Sequence, residues 1–181
     1  MNTSTDRIEQ QILLHAPLER VWHALIDPDA FGAWFGMAFD GPFVVGQPVT
    51  GRIVPTQVDP EVARLQEPYA GTPFRLLIER IEPMRAFAWR WHPYAVDHDT
   101  DYEQEPTTLV TFELEVVEHG TLLRLTESGF DRLPPTRRAE FAAKGLRAGF
   151  GKAFHKFKMG FFHNAIQALG DLLVIERVLD L

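Results

Sequence analysis

Glu127 is the side chain in this sequence best placed to do chemistry. It follows Leu123 and Leu125 at a spacing of two, so on a strand all three share one face. A carboxylate turned inward among leucines needs a hydrogen-bonding or cationic partner, because an unpaired buried charge is very costly. Arg52, Arg75, Arg90 and His92 fall on neighbouring predicted strands and are the expected partners. Paired in this way, Glu127 would orient the polar end of a bound molecule. A strand end or bulge that broke the parity would instead turn it to water.

Aromatic residues supply the apolar half of such a site. Phe87, Trp89 and Trp91 alternate along one predicted strand, and Phe112 sits on another. Phe150, Phe154, Phe157 and Phe161 recur at alternating spacings of four and three, the stripe of an α-helix. These rings either line a ligand cavity or fill a core, since both uses produce the same spacing. Trp34 and Phe35 close a short helix and are expected at the cavity mouth, with residues 56–71 folding over it as a lid.

Other chemistry is poorly supplied. Asp97, Asp99 and Asp101 alternate with His98 and Tyr102, but a calcium loop would need Gly at its sixth position and Glu at its twelfth. Tyr102 and Thr108 stand there instead, so residues 93–106 read as a solvated acidic loop and no metal site is expected. Gly149-Phe150-Gly151-Lys152-Ala153 lacks the upstream Gly and the Ser or Thr of a phosphate loop. With no cysteine and no Gly-x-Ser-x-Gly elbow, no nucleophile is marked. No catalytic residue and no cofactor are expected. Arg147, Lys152, Lys156 and Lys158 form a basic patch, read as a solvated helix face or a partner contact.

The whole chain bounds these readings. A length of 181 residues suggests one domain spanning 1–181. A net charge of −7 argues against a general nucleic-acid binder. Residues 1–11 lack the apolar core of a signal peptide, and the late apolar run 172–175 is too short to span a bilayer. A soluble cytoplasmic protein is expected.

The elements that must position the site follow from periodicity. Residues 1–6 read as a loose tail and 7–15 as a strand. Pro17 opens a helix whose Leu18, Val21, Trp22 and Leu25 share a face. Asp27-Pro28 starts a second, short helix that Gly36 ends. A hairpin is predicted over 38–55, turning near Gly46, followed by a structureless stretch over 56–71. Strands are predicted over 74–82, 85–92, 107–117 and 122–128. The rest should be helical, but a single helix over 134–179 would be roughly 65 Å long, against a radius of gyration of roughly 16 Å for such a domain. Gly145, Gly149 and Gly151 mark the break. A short helix over about 135–147, a long one over about 150–174 and an extension over 175–181 are expected.

This order resembles the helix-grip fold of START lipid-transfer domains, birch-pollen-type allergens and aromatase/cyclase-like proteins. It is an α+β architecture, with a curved antiparallel sheet wrapped around a long C-terminal helix. The chain looks most like the branch named for the activator of the heat-shock-chaperone ATPase. The resemblance is carried by Ala16-Pro17-Leu18-Glu19-Arg20-Val21-Trp22-His23-Ala24-Leu25, by Asp27-Pro28 and Trp34-Phe35, by Phe87-Ala88-Trp89, and by Gly120-Thr121-Leu122-Leu123-Arg124-Leu125-Thr126-Glu127-Ser128-Gly129-Phe130. It covers roughly 7–170. Gly149-Phe150 or Gly160-Phe161 stands where the branch has a Gly-Trp pair. The favoured reading is a non-catalytic protein that holds a small hydrophobic, lipid-like or aromatic molecule between sheet and long helix. Two other readings are a co-chaperone-like interaction domain, with the stress-response role of the branch, and a cyclase or dehydratase using cavity carboxylates and histidines as acid and base.

Overall fold

A computed structural model describes residues 7–93, 95 and 99–137 of the chain. Residues 135–137 are helical, as expected for the start of the first late helix. The remainder of that helix, the long helix over 150–174 with Phe150, Phe154, Phe157 and Phe161, and the two termini lie outside the described residues.

Alternating residues form one antiparallel sheet of seven strands. They are β1 (Arg7–Leu14), β2 (Met37–Phe39), β3 (Pro48–Ile53), β4 (Pro73–Glu82), β5 (Ala86–Trp91), β6 (Thr108–Val117) and β7 (Gly120–Ser128), in the spatial order β1-β7-β6-β5-β4-β3-β2. From β2 to β7 the chain is a simple meander, each strand pairing with the next. β1 then pairs with β7 along its whole length, from Arg7 opposite Ser128 to Leu14 opposite Thr121. β1 and β2 therefore sit at opposite edges, and the chain between them must cross one face of the sheet.

Helices α1 (Leu18–Ile26) and α2 (Pro28–Phe35) make that crossing. The bend between them is set by Asp27, whose Oδ1 accepts the Ala30 N–H at 2.8 Å while Pro28 takes the first turn. Gly36, at φ 83°, ends α2 in the left-handed region. The buried residues of both helices, Val21, Trp22 and Leu25 on α1 and Phe31, Trp34 and Phe35 on α2, join Leu76, Ile78, Phe87, Trp89, Phe112, Leu123 and Leu125 in one core. Burying each such side chain is worth about 1.5–3 kcal/mol, which is what holds α2 to the sheet.

Two local features depart from expectation. A bulge between Ile78 and Arg80 shifts the β4–β5 register, so Ile81 turns to the core with Ile78 while Arg80 and Glu82 stay at the surface. The stretch 56–71, expected to be structureless, contains α3 (Pro60–Gln66) and a 3-10 turn over Glu67–Tyr69. Asp59 caps α3 by accepting from the Glu61 and Val62 N–H groups, with Pro60 in its first turn. This is the same Asp-Pro signal that opens α2.

Candidate functional site

Strand register assembles the site. Ile78, Trp89, Val110, Glu127 and Ile8 lie opposite one another across β4, β5, β6, β7 and β1. Every member of this row is buried, and Glu127 is its only charged one, at 0% exposure. Thr108 lies two residues before Val110 on β6, and Trp91 two residues after Trp89 on β5. Both therefore share the face of the row and reach Glu127 diagonally. Thr108 Oγ1 donates to Glu127 Oε1 at 2.7 Å, and Trp91 Nε1 donates to the same oxygen at 3.1 Å.

The inward orientation of Glu127 matches expectation, but the expected partners do not. Arg75 and Arg90 alternate with the core residues of β4 and β5, so they leave on the other face, where they pair with Glu103 at 3.1 Å and Glu79 at 3.2 Å. Arg52 lies on β3, far along the sheet, and reaches Asp40. His92 follows Trp91 by one residue, and its Nε2 is 3.1 Å from the Glu105 carbonyl oxygen. Thr108 was legible as a donor by extending the Val110, Phe112, Leu114 alternation back by two residues.

Phe87, Trp89 and Phe112 occupy the inner sheet face as their alternation requires, each fully buried. Trp34 and Phe35 are not at a rim. Both are at 0% exposure, because α2 crosses the centre of the sheet and drives its aromatic side into it. Phe31, between them and the sheet, has ring centroids at 4.9 Å from Trp34, 4.8 Å from Phe35 and 5.6 Å from Trp89. The Trp34 indole N–H is spent on the Ala24 carbonyl at 2.9 Å. Among the seven described candidate residues, Trp91 alone is only half-buried. Trp91 is thus the least buried of these seven, although its ring still lies 6.5 Å from that of Phe35 at the end of α2.

The indole of Trp89 differs from that of Trp34. Its Nε1 is buried and has no hydrogen-bond partner among the described residues. The rings of Phe31, Phe35, Phe87 and Phe112 surround it at 5.2–6.3 Å between centroids.

Two clamps flank this core. Gln66, only 2% exposed, accepts the Thr56 N–H at 2.8 Å and donates to the Phe35 carbonyl at 2.9 Å. Thr56 Oγ1 in turn donates to the Ala33 carbonyl at 2.6 Å. The stretch expected to be a lid is thus tied to the end of α2 through Thr56 and Gln66. On the Trp91 side, the side chain of Arg137 is 7% exposed and bonds Glu105 at 3.1 Å, the Pro93 carbonyl and the face of Tyr102. This joins the acidic loop to the chain after β7. Of that loop's other carboxylates, Asp101 accepts the Glu103 N–H; Asp97 and His98 lie outside the described residues. Among the described residues no group of His, Asp and Glu is arranged to hold a metal, and no helix is long and apolar enough to cross a membrane.

Titration is perturbed away from the site. The Arg80 guanidinium bonds Glu82 and holds its carboxyl below the ordinary range, against the opposing push of burial; Arg85 adds a weaker pull in the same direction. Glu82 raises Arg80 in return.

Over residues 15–159 the chain matches the family described as activator of Hsp90 ATPase homolog 1-like protein. The chain belongs to that family. All the candidate residues except Phe161 fall within the matched span. The activator-like signature also has a structural explanation. Thr121 Oγ1 donates to the Ala16 carbonyl at 2.9 Å, and a Cβ on Gly120 would lie 2.1 Å from the Leu14 carbonyl oxygen. These two residues lock β7 against the turn into α1. Solved structures with the same fold include a protein of Mesorhizobium loti, 20% identical, with 94% of this chain and 97% of that one covered at a TM-score of 0.60. A Nitrosomonas europaea protein is 16% identical over 98% of this chain and 99% of its own, at 0.61. A solution structure from Arthrobacter aurescens is 16% identical over 96% and 89%, at 0.64. At these identities the likeness shows the fold, an α+β helix grip. No curated protein matches the chain.

Proposed function

We propose that the protein is a non-catalytic binder of a small, largely apolar molecule, lipid-like or aromatic. The molecule lies on the inner face of the sheet with its polar end on Glu127. The observation that carries this reading is a fully buried carboxylate in a cross-sheet row that is otherwise apolar. A valine or leucine at that position would complete the row without the desolvation cost of a carboxylate. Thr108 and Trp91 both donate to Oε1, which fixes the carboxylate in one orientation on the inner face. Trp91, half-buried beside it, lies where a ligand would approach. The ligand is then a cytoplasmic small molecule, and neither metal nor cofactor enters the reading.

Native mass spectrometry of protein purified from its own host tests this. The expected result is a retained small molecule, lost or depleted in Glu127→Gln while circular dichroism stays unchanged. A bare chain for both proteins overturns the reading. It would favour the co-chaperone-like alternative, in which the fold presents a surface to a chaperone. The close ring packing of Phe31, Trp34 and Phe35 supports that alternative, since it leaves that end of the inner face filled.

A further inference from the structure

Among the described residues β1 pairs only with β7, and its other side is an open edge of the sheet. The opposite edge, β2, is three residues long, and α2 packs on it so closely that a Cβ on Gly32 would lie 2.2 Å from the Met37 carbonyl oxygen. β1 instead runs for eight residues without a bulge, a proline or a lysine, features that keep an edge strand from pairing with another chain. Its two charges, Arg7 and Glu9, stand at one end and pair with each other at 2.6 Å.

Register shows which groups this edge offers. Val117 and Gly120 close the β6–β7 hairpin across a two-residue turn as a hydrogen-bonded pair, and such pairs recur at every second position. β7 therefore aims the backbone groups of Thr121, Leu123, Leu125 and Glu127 at their partners Leu14, Ile12, Gln10 and Ile8. The N–H and C=O groups of Arg7, Glu9, Gln11 and Leu13 point the other way, out of the sheet. Their side chains lie on the exposed outer face, where Leu13 is 38% exposed.

We infer that this edge takes the same edge of a second copy of the chain, antiparallel about a two-fold axis. Keeping both inner faces on one side requires odd-numbered residues to face odd-numbered ones, and the outward-pointing groups require the same. The two longest registers centre on Gln10 and on Gln11. Centred on Gln10, Ile8 falls opposite Ile12 of the second copy, Glu9 opposite Gln11, and Arg7 opposite Leu13, whose exposed side chain its aliphatic stem covers. Centred on Gln11, Glu9 would face Leu13 and Gln10 would face Ile12, a mismatch on each face. The Gln10 register forms about eight backbone hydrogen bonds and sets no like charges directly opposite. This pairing is independent of what the inner face binds.

The chain has no cysteine, so single-cysteine variants of the full chain read the pairing directly. On the axis, the two Cα atoms of residue 10 would lie about 4.5 Å apart, within disulfide reach; those of residue 11 would lie about 8–9 Å apart, beyond it. Under copper–phenanthroline oxidation, Gln10→Cys is expected to form a covalent dimer about tenfold faster than Gln11→Cys or Val45→Cys, an exposed position in the β2–β3 loop. Sedimentation equilibrium of the parent should show a reversible dimer, since a single strand pair lies at the low end of interface sizes. Gln11→Pro removes an outward N–H without touching a bond to β7, and Leu13→Lys sets a cation opposite Arg7. Each should weaken the dimer about tenfold, with thermal melts confirming that both variants fold. Gln10→Cys linking no faster than Val45→Cys, Gln11→Cys linking fastest, or a dimer undisturbed by both edge variants would each overturn the inference. So would a parent that stays monomeric at every concentration.

Discussion

Gln66→Leu asks whether the stretch between β3 and β4 is fastened or free. The substitution keeps the volume of the side chain but removes the acceptor for the Thr56 N–H and the donor to the Phe35 carbonyl. Both contacts are buried, and withdrawing a partner from a buried polar group costs about 1–3 kcal/mol. Two such losses come to about 2–6 kcal/mol. In a chain of this size each kcal/mol moves Tm by roughly 2–4 °C, so a fall of roughly 4–24 °C is expected. Urea unfolding should show a lower midpoint with an unchanged slope, the signature of lost stability rather than an altered unfolded state. Hydrogen exchange should speed up over residues 56–66 before the sheet responds. Gly36→Ala strikes the same clamp from the other side. A Cβ there would fall 2.1–2.4 Å from the Gln66 amide, at a φ of 83° that already disfavours alanine. A loss under about 0.5 kcal/mol in Gln66→Leu would refute the reasoning, because surface changes away from structural features already fall within that range. It would also restore the freely opening lid that the sequence suggested.

Thr108→Val removes one donor to Glu127 and is expected to cost about 1–3 kcal/mol by chemical denaturation. Combined with Trp91→Phe, the two losses should be non-additive, because both donors meet the same oxygen; strict additivity would show that they act independently. Arg137→Ala breaks a nearly buried pair and leaves Glu105 behind, which is expected to cost about 3–5 kcal/mol. A melt within about 1 °C of the parent would mean the pair contributes nothing net. Glu82 titrates below its unfolded value because Arg80 bonds its charged form. Its stabilising contribution is therefore complete above the ordinary carboxylate range and is lost as pH falls through the depressed folded value. Glu82→Gln should be less stable than the parent at neutral pH and converge with it in acid; a constant difference across pH would contradict the assignment.

How far the sequence reached depended on whether the deciding interaction was local. Strand parity placed Phe87, Trp89, Phe112 and Glu127 on the inner face, since side-chain alternation needs only neighbours along the chain. Asp27-Pro28 set the start of α2 for the same reason. Asp59-Pro60 carried an equal signal for α3 but was masked by the lack of apolar periodicity in the seven residues that follow it. The partners of Glu127 were a different problem. Three arginines and a histidine on neighbouring strands looked available, yet alternation alone put Arg75 and Arg90 on the opposite face from Trp89, so the same parity that turned Glu127 inward also turned them away. Parity is a harder constraint in a sheet than the attraction between opposite charges.

The position of Trp34 and Phe35 shows what no local pattern could supply. A short helix ending at a glycine gives no sign of whether its aromatic side meets a rim or a centre. That depends on β1 and β2 being opposite edges of the sheet, which is a property of the strand order. Once the edges are known, α1 and α2 must cross the inner face, and the residues at the end of α2 are carried into the core. The filling of the inner face by the aromatic side of α2 then follows from one topological fact. The buried carboxylate at Glu127 lies in the same cross-sheet row as Trp89, whose indole the rings carried in on α2 help to enclose.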